Sequence, residues 1–195
     1  MSALGGKKKW SGSLGADIKD SATVTGYAAV TDQWTTIAGL FQERIARGAF
    51  ARTLRENPNV LAIHHHDYAR VLGRTTAGTL RLSEDSHGLK AEIDLDLRTP
   101  DGMTVYGTVD RGEISGMSFS FSVLAETWED PEFGLPKRTI TDLELHEVTT
   151  TAIPAYPTTS ISLSRSDTNP MDNSANARRR VAEREAAMRR RGIAV

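Results

Sequence analysis

The chain reads as an α+β domain dominated by β-structure. Apolar and polar residues alternate with period two in one stretch after another, which is the signature of sheets with one wet face. Only two segments carry helical signals, and no repeat at a solenoid period is visible.

The 195 residues suit one domain with a real core plus tails, and a second full domain would be cramped. With 38% hydrophobic and 25% charged residues the composition is that of an ordinary soluble protein, and no apolar run is long enough to span a bilayer. The start, MSALGGKKKWSGSLG, has basic residues without an apolar segment behind them and does not read as a secretory signal. The absence of cysteine removes disulfides, thiolate zinc sites and cysteine nucleophiles, and points to a cytoplasmic setting.

Taken in order, Ser21 to Val30 (SATVTGYAAV) reads as an opening strand. Ala46 to Asn57 places Phe50 and Leu54 at helical spacing and stops before Pro58, since the residue preceding a proline disfavours the helical region. Asn59 to Asp67 (NVLAIHHHD) reads as a strand running into a loop, with His65 on the face of Leu61 and Ile63, and His64 and His66 on the other. Gly78 to Leu97 alternates on both sides of a Ser/Asp/Gly turn, as a hairpin does. Thr99 is a natural N-cap, Pro100 suits the first helical position, Asp101 complements the positive helix end, and Gly112 can close that helix.

In Gly116 to Val123 (GMSFSFSV), Met117, Phe119, Phe121 and Val123 face one way and Ser118, Ser120 and Ser122 the other. Asp142 to Pro157 sets Leu143, Leu145, Glu147, Thr149, Thr151 and Ile153 in one register, which puts an acid among apolar residues. Ser164 to Ala177 is rich in Ser, Asn, Asp and Pro and has linker chemistry. Beyond it, Arg178 to Val195 holds seven arginines against Glu183 and Glu185; that is +5, leaving −6 for residues 1–177 of a chain with net charge −1. The expected division is therefore an N-terminal extension over 1–20, a domain over 21–165, and a linker with a basic tail over 166–195.

An ionised carboxylate aimed into a sheet costs on the order of several kcal/mol unless a partner compensates it. A histidine would serve Glu147 in that role. A serine hydroxyl needs a base to become a nucleophile, and imidazole has the right proton affinity. A carboxylate behind the imidazole fixes its tautomer and stabilises the imidazolium. The residues alone leave other readings open. Serine is common on a strand's wet face, His64 and His66 with Asp67 could hold zinc although a third ligand at diagnostic spacing is missing, and Glu147 could sit on a watered edge.

The succession GYAAV, ERIARGAFARTL, HHHDYARVLGRT, RGEISGMSFSF and LHEVTTTAIPAYP, from about Gly26 to Thr159, resembles the prohead maturation serine proteases of tailed bacteriophages, distant structural relatives of the herpesvirus assemblins. The resemblance implies a closed or partly open β-barrel of about seven strands flanked by helices, with the catalytic residues on its outer surface. It implies His66 as general base, Ser118 as nucleophile with Ser120 the weaker candidate in a position where glycine is usual, and Glu147 as the acid with His146 as fallback. The oxyanion donors stay unassigned; backbone amides or an arginine such as Arg74 are candidates. Neither cofactor nor metal is implied. The implied substrates are a scaffolding protein or scaffold domain and the major capsid protein, the portal being a further candidate, inside the assembling prohead in the bacterial cytoplasm. Self-cleavage in the linker is expected, and a homodimer is allowed. The basic tail is the one feature that could touch nucleic acid, and no aromatics interleave its arginines. An inactive capsid-assembly or scaffold-binding protein on the same fold is the rival reading, and a His-rich metal-binding protein a weaker one.

Overall fold

A computed structural model of the protein describes residues 20–164 apart from 58, 155 and 157. The N-terminal extension, the linker beyond Ser164 and the arginine-rich tail lie outside the described residues. The elements run β1 (Ser21–Val30), β2 (Thr35–Ile37), β3 (Phe41–Ile45), α1 (Ala51–Glu56), β4 (Leu61–His64), β5 (Asp67–Arg74), β6 (Leu80–Glu84), β7 (Gly88–Asp96), α2 (Pro100–Asp110), β8 (Gly116–Glu129), β9 (Lys137–Thr151) and β10 (Ser160–Ser164), with a short 3-10 turn at Thr75–Ala77.

The fold is mainly β, as the alternations predict. Among the described residues the ten strands form two sheets, not one closed ring. An antiparallel sheet has the order β10-β1-β7-β6, and a mixed sheet has the order β2-β3-β9-β4-β5 with β8 also on β9. The partly open alternative is thus the one realised. One core joins the two sheets: Val24, Leu89, Ala91, Ile93 and Leu95 from the first pack with Ile45, Ala62, Met117, Phe119, Leu143, Leu145 and Val148 from the second.

Local chemistry explains the elements. In the β6–β7 turn one Asp85 oxygen accepts from the amides of His87 and Gly88 at 2.7 and 3.1 Å. α2 is capped as its sequence indicates, with Thr99 Oγ1 accepting from Gly102 N at 3.1 Å, Pro100 in the first turn and Gly112 left-handed just beyond the end. The first helix is shorter than the expected span from Ala46, because Gly48 adopts φ +87° and helical geometry begins only at Ala51.

That short helix has a structural task. β9 pairs in parallel with β3 through residues 137–140 and with β4 through residues 147–150, so the stretch between has no strand on that side. α1 fills the gap. Thr53 Oγ1 accepts from Leu145 N at 3.0 Å, Asn57 Nδ2 donates to Leu145 O at 3.0 Å, and Arg52 reaches Leu143 O while pairing with Asp142. The buried backbone groups of β9 are satisfied by side chains where a strand is missing.

Candidate active site

Ser118, Thr149 and Ile63 are register partners across β8, β9 and β4; Ser120, Glu147 and Leu61 form the next rung. Opposed residues share a face, so Ser118, Ser120, Glu147 and Thr149 lie together, while Met117, Phe119, Val148 and Thr150 point the other way, toward the core. The serine row therefore stands where the alternation of β8 places it.

The expected single register along β9 is corrected. Leu145 opposes Phe121 and Glu147 opposes Ser120, leaving His146 as an extra residue between the two pairs. Such a bulge shifts the alternation by one. Leu143 and Leu145 stay with the core, whereas Glu147 and Thr149 turn to the serine face, and Ile153 lies past the strand end, exposed. Glu147 is nonetheless buried, at 1% exposure.

His66 is also placed differently from a strand end. β4 stops at His64, His64 opposes Asp67, and His65 and His66 are the two central residues of a tight hairpin with φ of 54° and 58°. Both are left-handed, the geometry of the hairpin turn that best fits strand twist and usually favours Asn-Gly. Non-glycine residues there cost about 1–3 kcal/mol each, so surrounding contacts must hold them. His64 and His66 consequently leave the strand in different directions.

Two adjacent residues of β9, Thr149 and Thr150, supply those contacts. His64 Nδ1 meets Thr150 Oγ1 at 2.7 Å, His65 N donates to Thr150 O at 3.0 Å, and His66 N donates to Thr149 Oγ1 at 3.0 Å. The His66 ring then folds back so that Nδ1 lies 2.7 Å from Glu147 Oε1. Glu147 Oε2 is buried without a hydrogen-bond partner among the described residues. Sequence reading missed both threonines; the TTT run closing β9 was the available signal.

The structure brings His66 and Glu147 into direct contact. It places Ser118 on the same face, one rung away, without a direct hydrogen bond to His66. Ser118 is 4% exposed, Ser120 is half-buried, and the His66 side chain is half-exposed. His146, the fallback acid partner, bonds Ser122 Oγ through Nε2 at 2.8 Å instead of His66. Arg74 donates to Asn59 Oδ1 at 2.6 Å. At the start of β8, a Cβ on Gly116 would come within 2.8 Å of Pro154 Cγ, so only glycine lets the segment after β9 pack beside the Ser118 strand. Among the described residues no three His, Asp or Glu side chains gather as a metal site, and His64 and His66 do not converge.

A model of the caudovirus prohead serine proteases matches residues 13–174. The chain belongs to that family. Solved structures similar to this prohead-protease chain include the varicella-zoster virus protease, 12% identical over 73% of this chain and 64% of that one with a TM-score of 0.44. A second is the KSHV protease in complex with a hexapeptide phosphonate inhibitor, 12% identical over 83% and 77% of the two chains with a TM-score of 0.48. No curated protein matches the chain. No helix among the described residues of this family member is long and apolar enough to cross a membrane.

His64 carries a stability signature. Burial, then the neighbouring charges of His65 and Arg70, push its imidazole down to about 4, against a weaker opposing pull from Asp101 and the Thr150 contact. The unfolded chain binds this proton near pH 6.5 and the folded chain only near 4, so the contribution is complete above 6.5 and is lost as pH falls toward 4. The expected loss is on the order of 3 kcal/mol. Urea titrations at pH 7 and 4.5 check it: a His64→Asn variant should lose clearly less stability between the two than wild type, and equal losses would discard the assignment.

Proposed function

We propose that this family member is a serine endopeptidase that cleaves scaffolding and capsid-associated proteins inside an assembling phage capsid, using Ser118, His66 and Glu147. The carrying observation is the His66 to Glu147 hydrogen bond with Ser118 on the diagonal across the β8–β9 ladder. A bridging imidazole needs room for two hydrogen bonds of about 2.8 Å plus the width of its ring. Diagonal neighbours on one face stand roughly 7–8 Å apart, whereas directly opposed ones stand about 5 Å apart. Ser118 is diagonal to Glu147 and fits that span; Ser120 is directly opposed and is too close.

In the reaction, His66 Nε2 takes the Ser118 proton as Oγ attacks the scissile carbonyl carbon. The tetrahedral intermediate collapses, the C–N bond breaks, and His66 returns the proton to the leaving amine. Water, deprotonated by the same imidazole, then attacks the acyl carbonyl carbon; the Ser118 Oγ–C bond breaks and His66 returns the proton to Oγ, releasing the acid and free enzyme. Glu147, acceptor-only in its ionised form, keeps the Nδ1 proton in place and steadies the imidazolium. Catalytic hydrogen bonds of free enzymes commonly tighten only with substrate, which suits a His66 ring held at Nδ1 on a side chain that is half-exposed.

Ser120 supports a second reading, because it is the more accessible hydroxyl and opposes Glu147. The proposed substrates are a scaffold segment, the major capsid protein and the chain's own linker between Ser164 and Ala177, whose Ser, Asn, Asp and Pro content is that of a cleavable linker. Protein incubated alone and analysed by mass spectrometry should yield a C-terminally shortened species that Ser118→Ala does not form. Equal trimming of both proteins would reject self-cleavage. A chain that neither trims itself nor cuts a co-expressed scaffolding protein would be the inactive assembly factor.

A further inference from the structure

The turn that carries His66 is unfavourable on its own, and its contacts with β9 are few enough to ask which one controls the imidazole. Among the described residues the His66 main chain has one side-chain tether, the Thr149 hydroxyl. That hydroxyl also donates to Ile63 O at 3.1 Å, two residues before the turn begins. It therefore uses its proton and one lone pair, one bond out and one bond in, and links the entry of the hairpin to its apex. Thr149 is itself 0% exposed, so water cannot replace it in either bond. Its backbone is the register partner of Ser118, and it lies two residues from Glu147 on the same face.

We propose that Thr149 is a positioning residue for the reaction: through its hydroxyl it fixes the base-bearing hairpin against the strand whose other edge carries the nucleophile. The inference rests on the Ser118, His66 and Glu147 reading above. Thr149 touches no reacting atom. Its effect runs through the left-handed backbone at His66, whose orientation decides whether Nδ1 faces Glu147 while Nε2 faces the Ser118 side. Thr150 holds His64 through its hydroxyl and His65 through its carbonyl but makes no hydrogen bond to His66, which is left to Thr149. A valine at 149 keeps the branched shape and removes both hydrogen bonds; a serine keeps both bonds and removes only a methyl group.

The test measures peptide hydrolysis and fluorophosphonate labelling rate per folded molecule, with thermal unfolding of each variant alongside. Thr149→Val and Thr149→Ala are expected to lower kcat by roughly 10–100-fold with KM within about twofold of wild type, and to slow labelling in parallel. Thr149→Ser should stay within about threefold of wild type. Ser118→Ala and His66→Ala serve as references: if they retain activity, the underlying catalytic reading fails. If they are inactive while Thr149→Val matches wild type, the positioning role alone fails. A serine variant as impaired as the valine one would mean that packing, not the hydroxyl, matters, and would overturn the proposal. Failure of both hydroxyl-free variants to fold would overturn it too, by assigning the hydroxyl to folding.

Discussion

Ser118→Ala is expected to lower peptide hydrolysis by about 10⁴-fold or more and to abolish covalent labelling by a fluorophosphonate, while Ser120→Ala keeps activity within about tenfold of wild type. The difference follows from the ladder. Ser118 opposes Thr149 and is diagonal to Glu147; Ser120 opposes Glu147 directly. An imidazole that has spent Nδ1 on Glu147 Oε1 presents Nε2 a ring width further away, which is the distance of the diagonal position. Both serines sit on a strand held by Met117 and Phe119 in the core, so removing either hydroxyl leaves the fold intact. Labelling that persists in Ser118→Ala and vanishes in Ser120→Ala would transfer the nucleophile to Ser120 and end the diagonal argument.

Opposite stability effects are expected from the two partners of the histidine–carboxylate pair, although both substitutions cripple the enzyme. Glu147→Gln should reduce kcat by roughly 10³–10⁴-fold, since a neutral amide no longer stabilises the imidazolium and can favour the wrong tautomer. It should leave unfolding stability equal or higher, because the carboxylate it replaces is 1% exposed with one oxygen unpartnered among the described residues. His66→Ala strands that carboxylate with no donor and should cost about 1–3 kcal/mol. Combining His66→Ala with Glu147→Gln should recover much of this loss. Denaturant titration of the two single variants and the double variant measures the coupling; a double variant whose loss equals the sum of the single changes would show that the pair is not coupled.

Local sequence by itself determined most strands and the Phe and Ser faces of β8, through period-two alternation, and the capped helix from Pro100 to Asp110, through its end signals, because each depends on neighbours along the chain. Thr99, Pro100 and Gly112 carry the instructions for α2 within one short stretch, and the alternation of β8 sends Met117 and Phe119 into the core with Phe121 partly buried beside them. The family resemblance, carried by five ordered blocks, singled out residues 66, 118 and 147 without any coordinates. Periodicity failed where partners distant in sequence intervene. Glu147 sits opposite the leucines of its own strand because His146 bulges against β8, and a bulge is a property of two strands in register. The first helix shrank to six residues because a glycine turns left-handed before it, yet it is essential to β9, whose unpaired carbonyls and amides it receives.

The chain specified three adjacent histidines; only the tertiary structure gave them three different situations. His64 is buried against Thr150, His65 hangs by its backbone from the same residue, and His66 turns back to Glu147. Their separation arises from two left-handed residues that β9 holds in place across more than eighty residues of sequence. No local preference of a His-His-His-Asp segment would select that turn, since the free energy that offsets its strain lies in hydrogen bonds to threonines the segment meets only when the sheet has formed.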